Sequence, residues 1–262
     1  MTKSSNQPLA GKKAIVFGVA NERSLAWASA QQLADQGAEV ALTYQGEALE
    51  RRVRPLAEKI NAKLIIPCDV TQESSIQAAF QQIQDQWGEL SVLVHSIAFA
   101  QKEDLEGRFI DTSKSGFLKA MEISAYSLVE LARQAEPLMK DQTDGSIVTM
   151  SYYGAEKVIP NYNVMGVAKA TLEACVRYLA FDLGPRKIRV NAISAGPVKT
   201  LAAAGIRGFK GMLAEAQEKT PLKENIDASD VGALCAFLSG PGGRHITGST
   251  YYVDSGAHIM GV

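Results

Sequence analysis

The chain has 262 residues, 46% hydrophobic and 21% charged, enough to bury a sizeable core in one large α/β domain or in two small ones. Its 27 basic and 28 acidic residues leave a net charge of −1, which offers no general attraction for a nucleic-acid backbone or an anionic membrane. Cys68, Cys175 and Cys235 are widely spaced and form no CxxC, so neither a disulfide framework nor a zinc site is expected.

These features suit a reduced, cytoplasmic setting. The opening Met-Thr-Lys-Ser-Ser-Asn-Gln-Pro-Leu lacks the apolar core of a signal peptide, and no stretch reaches the ~18 apolar residues that cross a bilayer. Gly and Pro punctuate elements of similar length and do not gather into a linker, so residues 1–262 read as a single domain without internal repeats.

Short apolar runs alternate with longer amphipathic ones. A strand at 14–17 precedes a helix at 24–36, a strand at 39–44 precedes a helix at 47–60, and a strand at 63–66 precedes a helix at 74–87. The pattern continues with a strand at 91–95 before a helix around 117–139, then a strand at 145–150 before a helix at 162–183. A strand at 188–193, a helix near 229–238 and a last strand at 250–253 bring the predicted strands to seven. Apolar runs with little alternation indicate strands buried on both faces, and helical crossovers imply a parallel sheet. The expected fold is a Rossmann-like, doubly wound α/β sheet. In such a sheet, ligands bind outside the carboxyl ends of the strands, where strand order reverses.

The strand ends therefore come next. The first runs into Gly18-Val19-Ala20-Asn21-Glu22-Arg23-Ser24-Leu25, a strand-turn-helix that can set backbone N–H groups against a pyrophosphate. It lacks GxGxxG, since Ala20 and Arg23 replace the later glycines, and a plain turn with Ser24 as N-cap fits equally well. The second ends at Gln45, neutral where NAD binders place an acid and NADP binders an arginine nearby; Arg51 and Arg52 read as surface charges, which leans the choice to NADH. The third ends in Asp69-Val70, with Asp69 either accepting from an adenine amino group or serving as a turn residue. The fourth ends in His95-Ser96-Ile97-Ala98-Phe99-Ala100, a small-residue run that lets a flat ring approach the backbone. His95, His245 and His258 are far apart in sequence, and no metal site is expected.

Tyr162 and Lys169 carry the most information. The stretch that holds both reads as helix after the Pro160 start signal, so their seven-residue spacing is about two turns and puts them on one face. A phenol and an ammonium beside a cofactor supply a proton donor and a cation for developing negative charge. Taken alone, the pair fits a surface tyrosine and a solvated lysine as well.

The chain resembles the short-chain dehydrogenase/reductase superfamily from Gly11 to about Gly256, and within it the bacterial-type NADH-dependent enoyl-acyl-carrier-protein reductases. The resemblance rests on Ser151-Tyr152-Tyr153-Gly154-Ala155-Glu156, on the stretch from Pro160 through Asn161-Tyr162-Asn163 to Lys169, and on Ala195-Gly196-Pro197-Val198-Lys199-Thr200. Carbonyl-reducing members carry Tyr-x3-Lys, whereas here Met165 stands four before Lys169 and the tyrosine lies earlier. In an enoyl thioester the hydride goes to the β-carbon, further from the carbonyl oxygen. One helical turn, about 5.4 Å, is the displacement expected of the hydroxyl.

The resemblance implies hydride transfer from NADH to a trans-2-enoyl thioester in fatty acid synthesis. Tyr162 would stabilise or protonate the enolate, Lys169 would hold the nicotinamide ribose, and Tyr152 would line the pocket. It implies cofactor contacts from Gly18, Ser24, Leu25, Gln45, Asp69, Val70, Ser96, Ile97, Lys169, Val198 and Thr200, and substrate contacts from Ala100, Tyr152, Tyr162, Phe209 and Met212. It also implies an acyl carrier protein as partner and a homotetramer.

The stretch at about 200–215 has Ile206, Phe209 and Leu213 at helical spacing, diluted by glycines; a mobile lid over the acyl chain and an ordinary packing helix fit it equally. Arg207 and Lys210 on it could meet an acidic carrier protein. Two other readings remain beside the enoyl reductase: a carbonyl-reducing relative such as a 3-oxoacyl-carrier-protein reductase, and a non-catalytic nucleotide-binding protein on the same scaffold.

Overall fold

A computed structural model describes residues 7–139, 144–200 and 209–261. Its strands are β1 (Lys13–Phe17), β2 (Glu39–Tyr44), β3 (Leu64–Pro67), β4 (Val92–His95), β5 (Ser146–Ser151), β6 (Arg189–Ala195) and β7 (Thr250–Val253). They form one seven-stranded sheet in the order β3-β2-β1-β4-β5-β6-β7. Every neighbouring pair is parallel. Strand order reverses between β1 and β4, so the carboxyl ends of these two strands open the crevice that a doubly wound sheet offers a ligand.

The helices are α1 (Leu25–Asp35), α2 (Gly46–Lys59), α3 (Glu73–Trp87), α4 (Lys102–Leu105), α5 (Lys114–Met121), α6 (Ser127–Ala135), α7 (Val164–Leu183), α8 (Phe209–Lys219) and α9 (Ala228–Ser239). Strand β1 shows why both faces of the sheet are covered. Its Ile15 and Phe17 enter a core with Phe80 of α3, Leu128 of α6 and Leu172 of α7. Its Ala14 and Val16 enter the opposite core with Trp27 and Leu33 of α1, Val53 of α2 and Val231 of α9. Alternate residues of one strand thus feed two cores, which is why the sequence shows an unbroken apolar run. Local signals set the helix ends: Gly88 terminates α3 in the left-handed conformation at φ 67°, and Asp227 with Asp230 forms a capping box at the start of α9.

Three expectations change. The helix predicted over 117–139 is divided into α5, a π-helical turn at Glu122–Tyr126, α6 and a 3-10 turn at Glu136–Leu138. Serine hydroxyls compete for the backbone there. Ser127 Oγ donates to Ile123 O at 2.7 Å, while Ser124 Oγ reaches out to the Phe99 backbone, donating to its carbonyl at 3.1 Å and accepting from its N–H at 2.9 Å. The helix predicted from 162 begins only at Val164. Of the stretch expected at 200–215, residues 201–208 lie outside the described residues and 209–215 belong to α8.

Beneath the crevice, His95 is fully buried at the end of β4, with Nδ1 2.8 Å from Thr149 Oγ1 and Nε2 2.8 Å from Ser127 Oγ. Because the Ser127 hydroxyl gives its proton to Ile123 O, Nε2 is the donor to Ser127 and Nδ1 accepts from Thr149. Burial, reinforced by Lys169, lowers the imidazole from 6.5 to about 3. The folded chain therefore keeps His95 neutral where the unfolded chain protonates it. Its contribution to stability is full above about pH 6.5 and is lost as pH falls from there towards about 3. Melting curves recorded between neutral and mildly acidic pH should show this loss, and His95→Gln, less stable at neutral pH, should show a smaller acid-side loss. An equal acid-side loss in both proteins would contradict a buried neutral imidazole.

Candidate active site

The turn after β1 is built for close approach. Gly18 has φ 99°, and a Cβ there would lie 2.0 Å from Ser96 O, so only glycine lets the ends of β1 and β4 meet. Asn21 Oδ1 accepts from Arg23 N–H at 2.9 Å, and the Ser24 hydroxyl donates back to Asn21 O at 2.7 Å. Ser24 thus occupies the N-cap position of α1 while its hydroxyl closes the turn instead of capping the helix. What the turn offers an anion is the set of N–H groups that every helix start leaves without an intrahelical partner, beginning with Leu25.

At the ends of β2 and β3, Gln45 and Asp69 are joined. Burial pushes the Asp69 carboxyl up, but hydrogen bonds from Thr71 N–H, the Gln45 side chain and the Thr71 hydroxyl outweigh it and hold the group below its ordinary value. Asp69 therefore acts as a turn residue through Oδ1, which accepts from Thr71 N–H at 2.9 Å and from the Thr71 hydroxyl at 2.7 Å. Val70 follows on the rim, and Ile97 packs against the core below β4. Ser96 N–H donates to Phe17 O at 3.1 Å, and Ala100 lies on the loop leading to α4. After β6, Thr200 N–H donates to Val198 O at 2.7 Å. An open cavity of about 470 Å³ runs between this loop and the β1 turn, lined by Glu22, Arg23, Pro197, Val198, Leu213 and Ile226.

Tyr162, Tyr152 and Lys169 gather round the carboxyl end of β5. Lys169, in the second turn of α7, is buried and donates from Nζ to Met150 O at 2.7 Å. That uses one of the three donors of an ammonium. Burial lowers its pKa to about 8, with Glu173 one turn on pulling the other way. Glu173 is itself buried and accepts from the Ser151 hydroxyl; burial raises its carboxyl, against that hydrogen bond.

Tyr162 is placed differently from the expectation. The helix does not carry it: Asn161 at φ 63° and Asn163 at φ 36° flank it in conformations that an α-helix excludes, so the phenol projects from a turn ahead of α7. The displacement from the usual tyrosine position is therefore not a rise along one helix. The ring meets Tyr152 edge-on with centroids 4.9 Å apart. A Cβ on Gly154 would lie 2.5 Å from the Tyr162 ring, and one on Gly166 would lie 2.7 Å from Gly154 O. Two glycines thus clear the seat of the ring. Burial first, and then Tyr152, push the Tyr162 phenol above its ordinary range, and burial does the same to Tyr152. Both phenols remain neutral donors at physiological pH.

The sequence reading missed Gly154 and Gly166, whose role depends on a ring that arrives from elsewhere in the chain. It also missed the flanking asparagines, although Asn is the residue that tolerates positive φ best after glycine, and Asn-Tyr-Asn was that signal. Phe209 and Met212 fall on α8, but their side chains, like that of Lys210 and all of Arg207, lie outside the described residues. Among the described residues no cluster of His, Cys, Asp or Glu could hold a metal ion.

A dinucleotide suits this donor set: helix-start N–H groups at α1, polar side chains at the ends of β2 and β3, and a buried ammonium across the crevice beside β5. The family described as Enoyl-(Acyl carrier protein) reductase matches residues 18–258. The NADH enoyl-acyl-carrier-protein reductase 1 of Rhizobium meliloti is 50% identical over 252 residues, covering 96% of this chain and 92% of its own length. The FabI NADH enoyl-acyl-carrier-protein reductase of Rickettsia typhi is 51% identical over 253 residues, covering 97% of this chain and 96% of its own. The solved structure of the enoyl-acyl-carrier-protein reductase of Anaplasma phagocytophilum in complex with NAD superposes with a TM-score of 0.92 at 49% identity, covering 97% of this chain and 94% of that one. With the displaced tyrosine and with Met165 four before Lys169, these matches place the chain in the enoyl-(acyl carrier protein) reductase family.

Proposed function

We propose that this chain reduces the trans-2 double bond of enoyl thioesters carried on acyl carrier protein, with NADH, through Tyr162 and Lys169 at the end of β5. The observation that carries the assignment is the buried, neutral Tyr162 phenol seated against Tyr152 and Gly154, beside the strand end to which Lys169 is tied. What NADH supplies when bound is a hydride, which the substrate's β-carbon receives. As charge moves to the thioester oxygen, the Tyr162 hydroxyl donates a hydrogen bond to it in a site from which burial excludes water. Tyr152 forms the adjoining wall. Lys169 directs its remaining donors to the nicotinamide ribose, and its charge stabilises the developing anion.

Gly18, Ser24 and Leu25 would receive the pyrophosphate, with Val198 and Thr200 approaching it from the loop after β6. Gln45, Asp69 and Val70 would hold the adenosine, and Ser96 and Ile97 the nicotinamide half. Ala100 borders the acyl chain; the substrate contacts of Phe209 and Met212 and the lid at about 200–215 are carried over from the family resemblance, those side chains and residues 201–208 lying outside the described residues. No described helix is long and apolar enough to cross a membrane, which agrees with a cytoplasmic enzyme.

Assembly as a homotetramer is supported by apolar side chains exposed on two separate faces. Tyr178 and Phe181 of α7 and Tyr126 of the π turn are exposed on elements that cover one side of the sheet, with Leu118 of α5 also exposed; Phe237 is exposed on α9, which covers the other side, and Ile259 is exposed near the C-terminus. Two such patches, each pairing with its own copy about a two-fold axis, would generate a closed tetramer.

Loss of NADH absorbance with a crotonyl thioester tests the activity, and oxidation with a 3-oxoacyl thioester in its place would contradict the substrate class. Tyr162→Phe should slow turnover about 100-fold while NADH affinity stays near normal. Gly154→Ala, which displaces the ring without touching the hydroxyl, should show the same pattern with a loss on the order of 10-fold or more. Full rates in both would refute the oxyanion role.

The Lys169 ammonium is charged below about pH 8 and loses its proton above. NADH affinity should accordingly weaken as pH rises through that value, whereas in Lys169→Gln it should be low and flat; parallel pH profiles would exclude the ribose role. Light scattering should give the mass of four chains, and Tyr178→Asp with Phe181→Asp should reduce it to two. A monomeric parent protein would contradict the assembly.

A further inference from the structure

The turn that carries Tyr162 is fastened from outside by the residue next to the phenol. Asn163 Nδ2 donates to two carbonyl oxygens of a distant segment, Leu105 O at 3.1 Å and Gly107 O at 3.2 Å. Those carbonyls lie at the end of α4, on the loop that leaves β4 and passes Ala100. Further along, the loop has a second anchor. The buried Asp104 carboxylate accepts from Ser113 N–H at 2.8 Å and from the Ser113 hydroxyl at 3.2 Å, and Ser113 Oγ caps α5 by accepting from Gly116 N–H at 3.0 Å. One fastening joins the loop to α5, and the other joins it to the catalytic turn.

The backbone of Asn163 indicates which part of that residue matters. At φ 36° and ψ −116° it adopts the conformation of the first central residue of a type II′ turn, where glycine is the unstrained choice. A residue needed only to shape this turn would be glycine. Asparagine bears steric strain there, and what it adds is an amide whose two donors are both spent on the loop.

We infer that Asn163 is a positioning residue for the reaction: its side-chain amide ties the 102–107 loop to the Tyr162 turn and so sets where the phenol meets the thioester oxygen. The inference rests on the role given above to Tyr162. The tie itself touches none of the residues assigned to the cofactor: those at the ends of β1, β2 and β3 lie on other elements, Ser96 and Ile97 are held at the end of β4 ahead of the tied stretch, and Lys169 is held separately by Met150 O, so the tie acts on turnover and not on NADH affinity.

Two variants test this. Asn163→Gly accepts the backbone conformation without strain and lacks the amide; Asn163→Asp keeps the shape and sets a carboxylate against two carbonyl oxygens. In Asn163→Gly, kcat with a crotonyl thioester should fall on the order of 10-fold or more, NADH Kd should stay within about 2-fold, and amide hydrogen exchange across 102–107 should quicken.

In Asn163→Asp the loss should be at least as large at neutral pH. The ratio of its kcat to that of the parent protein should then rise as pH is lowered towards the carboxylate range, because the protonated acid regains one donor. Parent-like kcat in Asn163→Gly, unchanged exchange across 102–107, or a loss confined to NADH affinity would each overturn the inference. Full turnover in Tyr162→Phe would instead overturn the role of the phenol, while quickened exchange in Asn163→Gly would still support the tie.

Discussion

Where β1 and β4 run side by side, Gly18 comes so close to Ser96 that a Cβ would sit 2.0 Å from its carbonyl oxygen. From that contact the chain leaves in opposite directions, β1 into the turn before α1 and β4 into the loop towards α4. The crevice between them is a consequence of topology: parallel strands place all their carboxyl ends on one edge, and the reversal of order leaves one gap there that no crossover helix covers. The glycine keeps the two strand ends together at the floor of that gap.

The proposed reaction centre lies one strand further along, at the end of β5, where burial does opposite things to two kinds of group. It weakens the hold of Lys169 on its proton and strengthens that of Tyr162, because in each case low polarity disfavours the charged form. The result is a neutral phenol able to donate and an ammonium whose charge responds readily to a bound anion. Ser151 and Glu173 lie directly beyond Lys169, so the lysine stands between a strand carbonyl and a buried carboxyl rather than in solvent.

Rigidity at this site comes from small residues and from strain. Gly154 and Gly166 leave the volume that the Tyr162 ring fills, and the left-handed asparagines on either side stop α7 from extending back through the tyrosine. The π turn plays a similar part on the other wall: by giving up regular helix at Glu122–Tyr126, the chain frees Ser124 to clasp the Phe99 backbone. Departures from regular structure thus cluster around the expected reaction centre, as strained segments commonly do.

The fold class was legible because a strand buried on both faces must be apolar at every position, and such runs separated by amphipathic stretches admit few arrangements. β2, buried through its middle, coincides with its predicted bounds for this reason, whereas β7, a half-buried edge strand, was marked by its β-favouring Thr-Tyr-Tyr-Val run. That Tyr152, Tyr162 and Lys169 belong together was expected from the family resemblance, and the structure brings them together at the end of β5. Tertiary structure alone decided that Tyr162 stands on a turn, that the long helix after β4 breaks at Ser124 and Ser127, and that Ser24 and Asp69 close their own turns. Periodicity registers which residues face a core. It carries no record of a ring from one segment filling the space above a glycine in another, nor of a hydroxyl choosing a distant carbonyl over its own helix, because both depend on partners that only folding brings within reach.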